Sequence, residues 1–261
     1  MYVLMFILGV AFGSFLCCQV RRLRLWETKK KKLGPRSVCE KCKYQLKWYD
    51  NLPIISWLIL RGKCRKCGKK IGALEIISEL AVGLSLLLLS TSLNLETATV
   101  IDYAIFIISL VLTLSLAFLA IYDGAYGELP VFSLTFSGIC AIIITILKQW
   151  SLFSIAGFSY NLILDPILSA LLFGGIYLIL YLISKGKWVG DGDWILAGII
   201  GLALGDPWLS LTALFIANFT ATLIMYPLVR KKSTKKIYFG PFLVLAFILT
   251  YTFSDFFISM L

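Results

Sequence analysis

The sequence contains no histidine, and only 15% of its 261 residues are charged. Without histidine, the chain cannot build a Ser-His-Asp triad, a Cys-His dyad or the H-E-x-x-H zinc site of metalloproteases. A Ser-Lys dyad needs a shielded lysine, whereas the lysines here lie in polar loops or at the ends of apolar segments. If the protein is a hydrolase, carboxylates are therefore the remaining side chains for general acid and base catalysis.

Long polar stretches are also scarce, because 59% of the residues are hydrophobic. Apolar runs of about 20 residues, the length that crosses a bilayer core, recur along the chain. We predict eight membrane-spanning segments, at residues 1–20, 74–94, 101–122, 131–147, 164–183, 190–206, 208–229 and 238–258. These runs lack the alternation of barrel strands, and backbone groups in lipid must be hydrogen-bonded internally, so helices are expected. The predicted fold class is an all-α, polytopic membrane protein.

Basic residues are confined to a few loops of this predicted topology. The net charge is +11, and all but one of the 25 Lys and Arg residues fall in 21–73, 184–189 and 230–237, Lys148 being the exception. This distribution follows the positive-inside rule and predicts that these loops face the cytoplasm. It explains the basic charge by membrane topology, so the lipid bilayer is an expected partner and nucleic acid is not.

Four of the seven cysteines form two C-x2-C pairs, which are Cys39 with Cys42 and Cys64 with Cys67. This is the ligand spacing of a zinc ribbon, in which four thiolates surround one tetrahedral ion. A cytoplasmic location disfavours disulfides, and the neighbouring lysines and arginines stabilise thiolates. We expect one structural zinc ion in a small zinc-ribbon-like loop, with two disulfides or free thiols as the alternatives.

The segment between the cysteine pairs, residues 46–58, has two parts. Asp50, Asn51 and Pro53 are turn-forming residues. The apolar run that follows contains Trp57 and is too short to cross a membrane. It either lies along the inner membrane surface or forms the hydrophobic core of the ribbon. The sequence leaves both interpretations open.

Two aspartates stand at predicted cytoplasmic ends of membrane segments. Asp123 closes the third segment, and Asp193 opens the sixth, at the end of the glycine-containing segment 190–193. The apolar run 194–204 has only 11 residues, about 16 Å of helix. Completing a span therefore draws the preceding residues toward the membrane, where a carboxylate is expected to face protein or a watery cavity.

If Asp123 and Asp193 face each other, they are expected to share a proton, because both cannot easily ionise. The charged carboxylate then takes a proton from water as it attacks a scissile carbonyl, and the protonated one polarises that carbonyl. Gly190 and Gly192 would let a peptide backbone approach closely. Spacing alone does not bring the aspartates together. A membrane transporter that relays protons or cations through paired aspartates is the alternative.

Several motifs resemble those of bacterial type IV prepilin leader peptidases over nearly the whole chain. Residues 190–193 have the GxGD pattern of intramembrane aspartyl proteases. The other matching motifs, in chain order, are 13–16 with 22–23, the two cysteine pairs with 48–54, 78–80, Asp123 with Pro130, and 239–243. This ordered set is much more specific than the GxGD pattern alone.

The resemblance implies that Asp123 and Asp193 are the catalytic pair of an aspartic-type endopeptidase. Candidate substrate-binding or supporting positions are Gly190, Gly192 and Glu79. Glu79 follows Glu75 by one helical turn, so an acid that stabilises the start of a helix is the alternative for it. The implied substrate is a prepilin or pseudopilin, whose basic leader is removed after a glycine at the cytoplasmic face of the cell membrane. Many members of the family also N-methylate the new N-terminus with S-adenosylmethionine.

The resemblance divides the chain into two domains. Residues 1–95 would form the methyltransferase-associated half, with the first helix, the four-cysteine loop and the second helix. Residues 96–261 would form a six-helix GxGD peptidase domain. In the first half, Cys17-Cys18-Gln19 replaces the usual Asn-Val-Val, and no glycine-rich cofactor fingerprint is present. Methylation is thus the less supported activity, and the sequence does not identify the S-adenosylmethionine site.

Overall fold

The computed structural model describes residues 1–29, 37–39, 41–93, 97–156, 161–230 and 238–259. The chain divides into two compact units, Met1–Ser90 and Thr91–Leu261. In the described ranges the regular structure is helical, and extended pairing is limited to two isolated bridges. The all-α prediction is confirmed.

Unit 1 is built on two long helices that pack along each other, α1 (Tyr2–Lys29) and α3 (Ala73–Leu89). Between them lie a 3-10 helix, Trp48–Asn51, and the short helix α2, Ile55–Ile59. A Cβ atom added to Gly13 would lie 2.7 Å from the Cα of Glu79. The motif at residues 13–16 thus includes a helix-packing position, because such close backbone approach is typical of small residues in membrane helices.

Unit 2 contains the remaining helices of the described chain. They are α4 (Val100–Tyr126), α5 (Val131–Ala156), α6 (Asn161–Ser184), α7 (Asp193–Leu204), α8 (Pro207–Arg230), α9 (Gly240–Thr252) and α10 (Ser254–Ile258). The short helix α7 packs against α5, α6, α8 and α9. It therefore lies at the centre of this unit, and its N-terminus carries Asp193.

Six helices in the described chain are long and apolar enough to cross a membrane. They are Tyr2–Thr28, Ala73–Ser92, Val100–Tyr126, Val131–Ser154, Ile163–Ser184 and Pro207–Tyr226. The sixth and eighth predicted segments correspond to the shorter apolar helices α7 and α9. The count of eight membrane-spanning helices is therefore approximate. Helix α7 is short because it begins only at Asp193, and the eighth segment is interrupted at Phe253, between α9 and α10.

Glycine contacts hold α7 closely against α6. A Cβ atom on Gly174 would lie 2.9 Å from the Cα of Gly198, and one on Gly201 would lie 2.6 Å from the carbonyl oxygen of Ser169. The Ser169 hydroxyl donates to the carbonyl oxygen of Gly201 at 2.5 Å. These backbone contacts leave α7 little freedom to shift along α6, so they fix the position of its N-terminus.

Lys148, the single basic residue outside the predicted cytoplasmic loops, binds the other end of α7. Its Nζ donates to the carbonyl oxygen of Ala203 at 3.2 Å and lies 4.3 Å from the ring centroid of Tyr251. A cation at a helix C-terminus interacts favourably with the exposed carbonyl dipoles. The Tyr251 hydroxyl is hydrogen-bonded to Ser109 at 2.7 Å, which connects this contact to α4.

Candidate functional site

Asp123 lies in the last turn of α4 and is 5% exposed. Its Oδ2 accepts a hydrogen bond from the backbone N–H of Gly240, at the start of α9, at 2.9 Å. A Cβ atom on residue 240 would lie 2.8 Å from the same oxygen. Glycine at this position therefore allows the backbone to bind the carboxylate without displacing it.

Asp193 is the first residue of α7 and is 7% exposed. Its Oδ2 accepts a hydrogen bond from the backbone N–H of Gly190 at 2.8 Å, which closes a tight turn before the helix. A Cβ atom on Gly192 would lie 2.8 Å from the side chain of Leu129. Asp191, two residues before Asp193, is exposed instead. Only one of the two aspartates in the motif is therefore enclosed.

Asp123 and Asp193 lie close enough for the charge of Asp193 to act on the carboxyl group of Asp123. Both helices that carry them pack against α9. Tyr177 of α6 is also buried near Asp193, and its hydroxyl accepts a hydrogen bond from Asn218 at 3.1 Å. Its ring lies 5.4 Å from that of Phe239. Two carboxylates enclosed in this way can hold one proton between them.

The sequence does not predict the contacts of three of these residues. Gly240 was part of a matched motif without an assigned contact, and Tyr177 and Asn218 were not singled out. The available signals were a Gly-Pro pair at the start of the last apolar segment and two polar side chains within long apolar runs. Polar groups inside membrane segments usually face a neighbouring helix or a functional cavity.

The four cysteines of the two C-x2-C pairs form a cluster in unit 1, with all Sγ atoms within 4.8 Å of one another. The Sγ atoms of Cys39 and Cys67 are 3.8 Å apart, and those of Cys42 and Cys64 are 4.0 Å apart. Tetrahedral zinc with Zn–S bonds of about 2.3 Å requires sulfurs about 3.8 Å apart. A disulfide requires about 2.05 Å, and the cysteines are free. The cluster can hold a metal ion.

The two cysteine pairs have the same backbone geometry. The N–H of Lys43 donates to the carbonyl oxygen of Cys39, and that of Gly68 donates to the carbonyl oxygen of Cys64, both at 2.9 Å. Lys43 and Gly68 both have positive φ angles, 57° and 65°. A hydrogen bond from the backbone of Cys42 lowers the pKa of the Cys39 thiol to about 6. Desolvation and hydrogen bonds to the other three thiols raise the pKa of the Cys42 thiol to about 11 instead. Metals bind the thiolate form, so in the absence of a metal the geometry favours the thiolate at Cys39 and not at Cys42.

Asp50 connects the segment between the pairs to the second pair. It is buried, and its Oδ1 accepts from Nε of Arg65 at 2.8 Å. Its Oδ2 accepts from the backbone N–H of Lys47 at 3.2 Å, across the 3-10 helix. The interpretation of Asp50 as a turn residue was therefore incomplete, because its carboxylate also ties two parts of the loop together.

Glu79 anchors the same segment to α3. It is buried in the second turn of the helix, and its Oε2 accepts from the backbone N–H of Ile54 at 2.7 Å. Ile54 has a φ of 60°, an unfavourable conformation for a β-branched residue. One turn earlier on α3, Glu75 pairs with Arg21 of α1. The carboxylate of Glu79 thus supports the loop rather than the start of the helix.

Comparison with known proteins places these features in a family context. Residues 7–93 match the family model described as the Bacterial Peptidase A24 N-terminal domain. A prepilin leader peptidase/N-methyltransferase of Stutzerimonas stutzeri is 26% identical over 278 residues, covering 92% of this chain and 86% of the relative. The resemblance to prepilin leader peptidases is confirmed. Together with the six long apolar helices, it identifies a multi-pass inner-membrane protein.

Two further relatives with the same name differ in the share of the chain that aligns with them. The protein of Myxococcus xanthus (strain DK1622) is 42% identical, but over only 82 residues, 31% of this chain and 24% of the relative. That of Dichelobacter nodosus is 28% identical over 228 residues, 85% of this chain and 72% of the relative. No solved structure matches the chain.

Proposed function

We propose that this protein removes the basic leader peptide from type IV prepilins or pseudopilins, with Asp123 and Asp193 as the catalytic carboxylates. The observation that carries the proposal is their geometry. They are two buried, interacting carboxylates, and each accepts a hydrogen bond from the backbone N–H of a glycine. The names of the full-length relatives support leader cleavage, and none of them favours a proton- or cation-coupled transporter.

The proposed reaction is hydrolysis of one peptide bond. One carboxylate is ionised and takes a proton from the attacking water, while the new C–O bond forms. The other is protonated and donates a hydrogen bond to the scissile carbonyl. It then transfers its proton to the nitrogen as the C–N bond breaks, so that the pair again holds one proton, which came from the water. The Oδ2 atoms of both aspartates bind backbone N–H groups. We therefore assign their Oδ1 atoms to the water and the carbonyl.

We infer that the aspartates and the four-cysteine loop face the cytoplasm. The distribution of Lys and Arg supports this orientation. We assign Gly190 and Gly192 a supporting role, since the turn that they form adjoins Asp193 and the missing side chain of Gly192 leaves room for Leu129. Glu79 is assigned a supporting role, because its carboxylate holds the loop segment at Ile54.

The metal that we propose for the four-cysteine cluster is zinc. The spacing of the sulfurs agrees with one tetrahedral ion, and Cys39, Cys42, Cys64 and Cys67 would be its ligands. Four protein ligands leave no open position for water, so the ion would hold the two halves of the loop together. We assign it no part in the cleavage reaction.

A second activity, N-methylation of the new pilin terminus, is favoured by the names of the relatives. We propose that residues 1–95 support it and that residues 96–261 carry the peptidase. The described residues of unit 1 do not identify a cradle for S-adenosylmethionine. Asp123→Asn protein, given pilin that is already cleaved and labelled S-adenosylmethionine, should still label the pilin terminus. If the pilin terminus stays unlabelled with both the variant and the wild-type protein, the function is limited to cleavage.

The test of the proposed cleavage is an assay with purified protein and a prepilin. Wild-type protein should release the leader, as seen by the mass of the mature pilin. Asp123→Asn should reduce the rate at least ~100-fold, because the amide cannot exchange protons with water and substrate. The variant should elute like wild type and keep its metal content. Cleavage at near the wild-type rate would remove Asp123 from the catalytic pair.

A further inference from the structure

The loop between the cysteine pairs leaves a group of apolar side chains exposed. This apolar patch consists of Trp48, Leu52, Ile55, Leu58 and Ile59, which are 36% to 77% exposed. Within α2, the three isoleucine and leucine positions of the patch follow the i, i+3, i+4 spacing of one helix face. Exposed apolar side chains grouped on one face usually mark a contact surface.

The patch is distinct from the hydrophobic interior of the loop. A Cβ atom added to Gly62 would lie 2.9 Å from the ring of Trp57, so this indole packs against the loop backbone. The patch residue Leu58, next to it in sequence, is 57% exposed. The two interpretations that the sequence left open therefore apply to different residues. Trp57 belongs to the interior, and its neighbours do not.

The position of the patch is fixed relative to a membrane-crossing helix. The backbone N–H of Ile54, immediately before α2, donates to Glu79 at 2.7 Å. Glu79 lies in the apolar span Ala73–Ser92, about 9 Å along the helix from its first residue. Helix α2 therefore begins beside the first two turns of this apolar span. Lipid headgroups and upper acyl chains are expected at the end of a span of this length.

The charge around the patch is predominantly positive. Residues 37–72 contain nine Lys or Arg residues and two acidic residues. One of the acids, Asp50, is paired with Arg65. Lys47, Arg61 and Lys63, which adjoin the two short helices in sequence, are exposed. Acidic phospholipids attract basic segments at a membrane surface, and an apolar face beside the charges can enter the acyl region.

We propose that the apolar patch docks on an acidic phospholipid surface, in the leaflet where α1 and α3 meet the cytoplasm. This rests on the cytoplasmic orientation of the loop given above. At five residues, α2 is too short to span a bilayer, so it would lie in the interface. A prepilin with a basic leader would be repelled by the surrounding charge. Lipid therefore fits the patch better than substrate does.

Site-specific photocrosslinking of the full chain in vesicles tests this docking. The probe is a benzoylphenylalanine residue at position Ile59, in vesicles of phosphatidylethanolamine and phosphatidylglycerol. The matched control carries the probe at Gln45, an exposed loop position outside the patch, and the positive control carries it at Ile139, an exposed position on α5. After irradiation, the Ile59 variant should gain the mass of a phospholipid several-fold more often than the Gln45 variant, and about as often as the Ile139 variant.

Each other outcome contradicts the proposal. Equal lipid labelling at Ile59 and Gln45 would mean that the patch has no particular contact with lipid. Crosslinks from Ile59 to added prepilin or to a second copy of the chain would assign the patch to that partner. If the yield of lipid crosslinks is undiminished in vesicles of phosphatidylcholine alone, the acidic charge of the lipid does not contribute to docking. Ile55 is a second probe position if the Ile59 variant does not elute like wild type.

Discussion

The four-cysteine cluster and the aspartate pair are assembled in opposite ways. In the cluster, each pair is shaped by hydrogen bonds within a few residues, and the same bonds recur in both pairs. In the aspartate pair, Asp123 is bound by a backbone N–H that is 117 residues away in sequence. The cluster therefore depends mainly on local sequence. The aspartate pair depends on how the membrane helices pack, so distant substitutions should act on it.

Gly240→Ala is expected to have the largest effect, and this effect should be confined to the aspartate pair. The added Cβ would lie 2.8 Å from Oδ2 of Asp123, so the carboxylate must move. A displacement of about 1 Å in a catalytic group can reduce a rate about 100-fold. We expect prepilin cleavage to fall by about that factor, while the metal content of the cysteine cluster stays unchanged.

The matched control for this variant is Gly175→Ala, on α6, where an added Cβ meets no atom within 4 Å. Its cleavage rate should stay close to that of wild type. If Gly240→Ala and Gly175→Ala cleave equally fast, the contact between Gly240 and Asp123 does not shape the site.

A second, more local effect is expected from Cys64→Ser. Removing one of four thiolates should reduce the zinc content from about one per chain to a small fraction of that. Hydrogen exchange in residues 37–72 should become faster, since the metal would no longer connect the two halves of the loop. Cys140→Ala is the control, because Cys140 is buried in α5, outside the cluster. Unchanged zinc in Cys64→Ser would exclude the proposed ligand set.

The smallest effect concerns the two residues with positive φ that follow the cysteine pairs. Lys43→Gly should stabilise the metal-bound loop, and Gly68→Ala should destabilise it, each by about 1 kcal/mol. A chelator titration that follows zinc release measures both changes. Shifts in the same direction for the two variants would show that the cysteine pairs are not equivalent.

The loop was the more predictable of the two regions. The spacing of the cysteines was sufficient to predict the cluster, because a short repeat places its ligands locally. The hydrogen bond between Ile54 and Glu79 was not predictable. It joins Ile54 in the loop to Glu79 on α3, and Ile54 has a backbone conformation that isoleucine rarely adopts.

The aspartate site was predictable only in part. The short apolar run after Asp193 correctly indicated an unusually short helix, which is α7. The contact from Gly240 could not be derived, since hydropathy locates helices without showing which of their ends meet. The break at Phe253 was also missed, because the apolar composition continues through it.

The most direct test of the account compares two aspartates of one motif, Asp193→Asn and Asp191→Asn. Asp193 is buried and interacts with Asp123, whereas Asp191 is exposed. The two variants make the same carboxylate-to-amide change two residues apart, so a general effect of that change on the turn 190–193 would appear in both. In a cleavage assay with purified protein and prepilin, Asp193→Asn should lose at least ~100-fold in rate, and Asp191→Asn should stay within a few-fold of wild type. Efficient leader removal by Asp193→Asn would contradict the account.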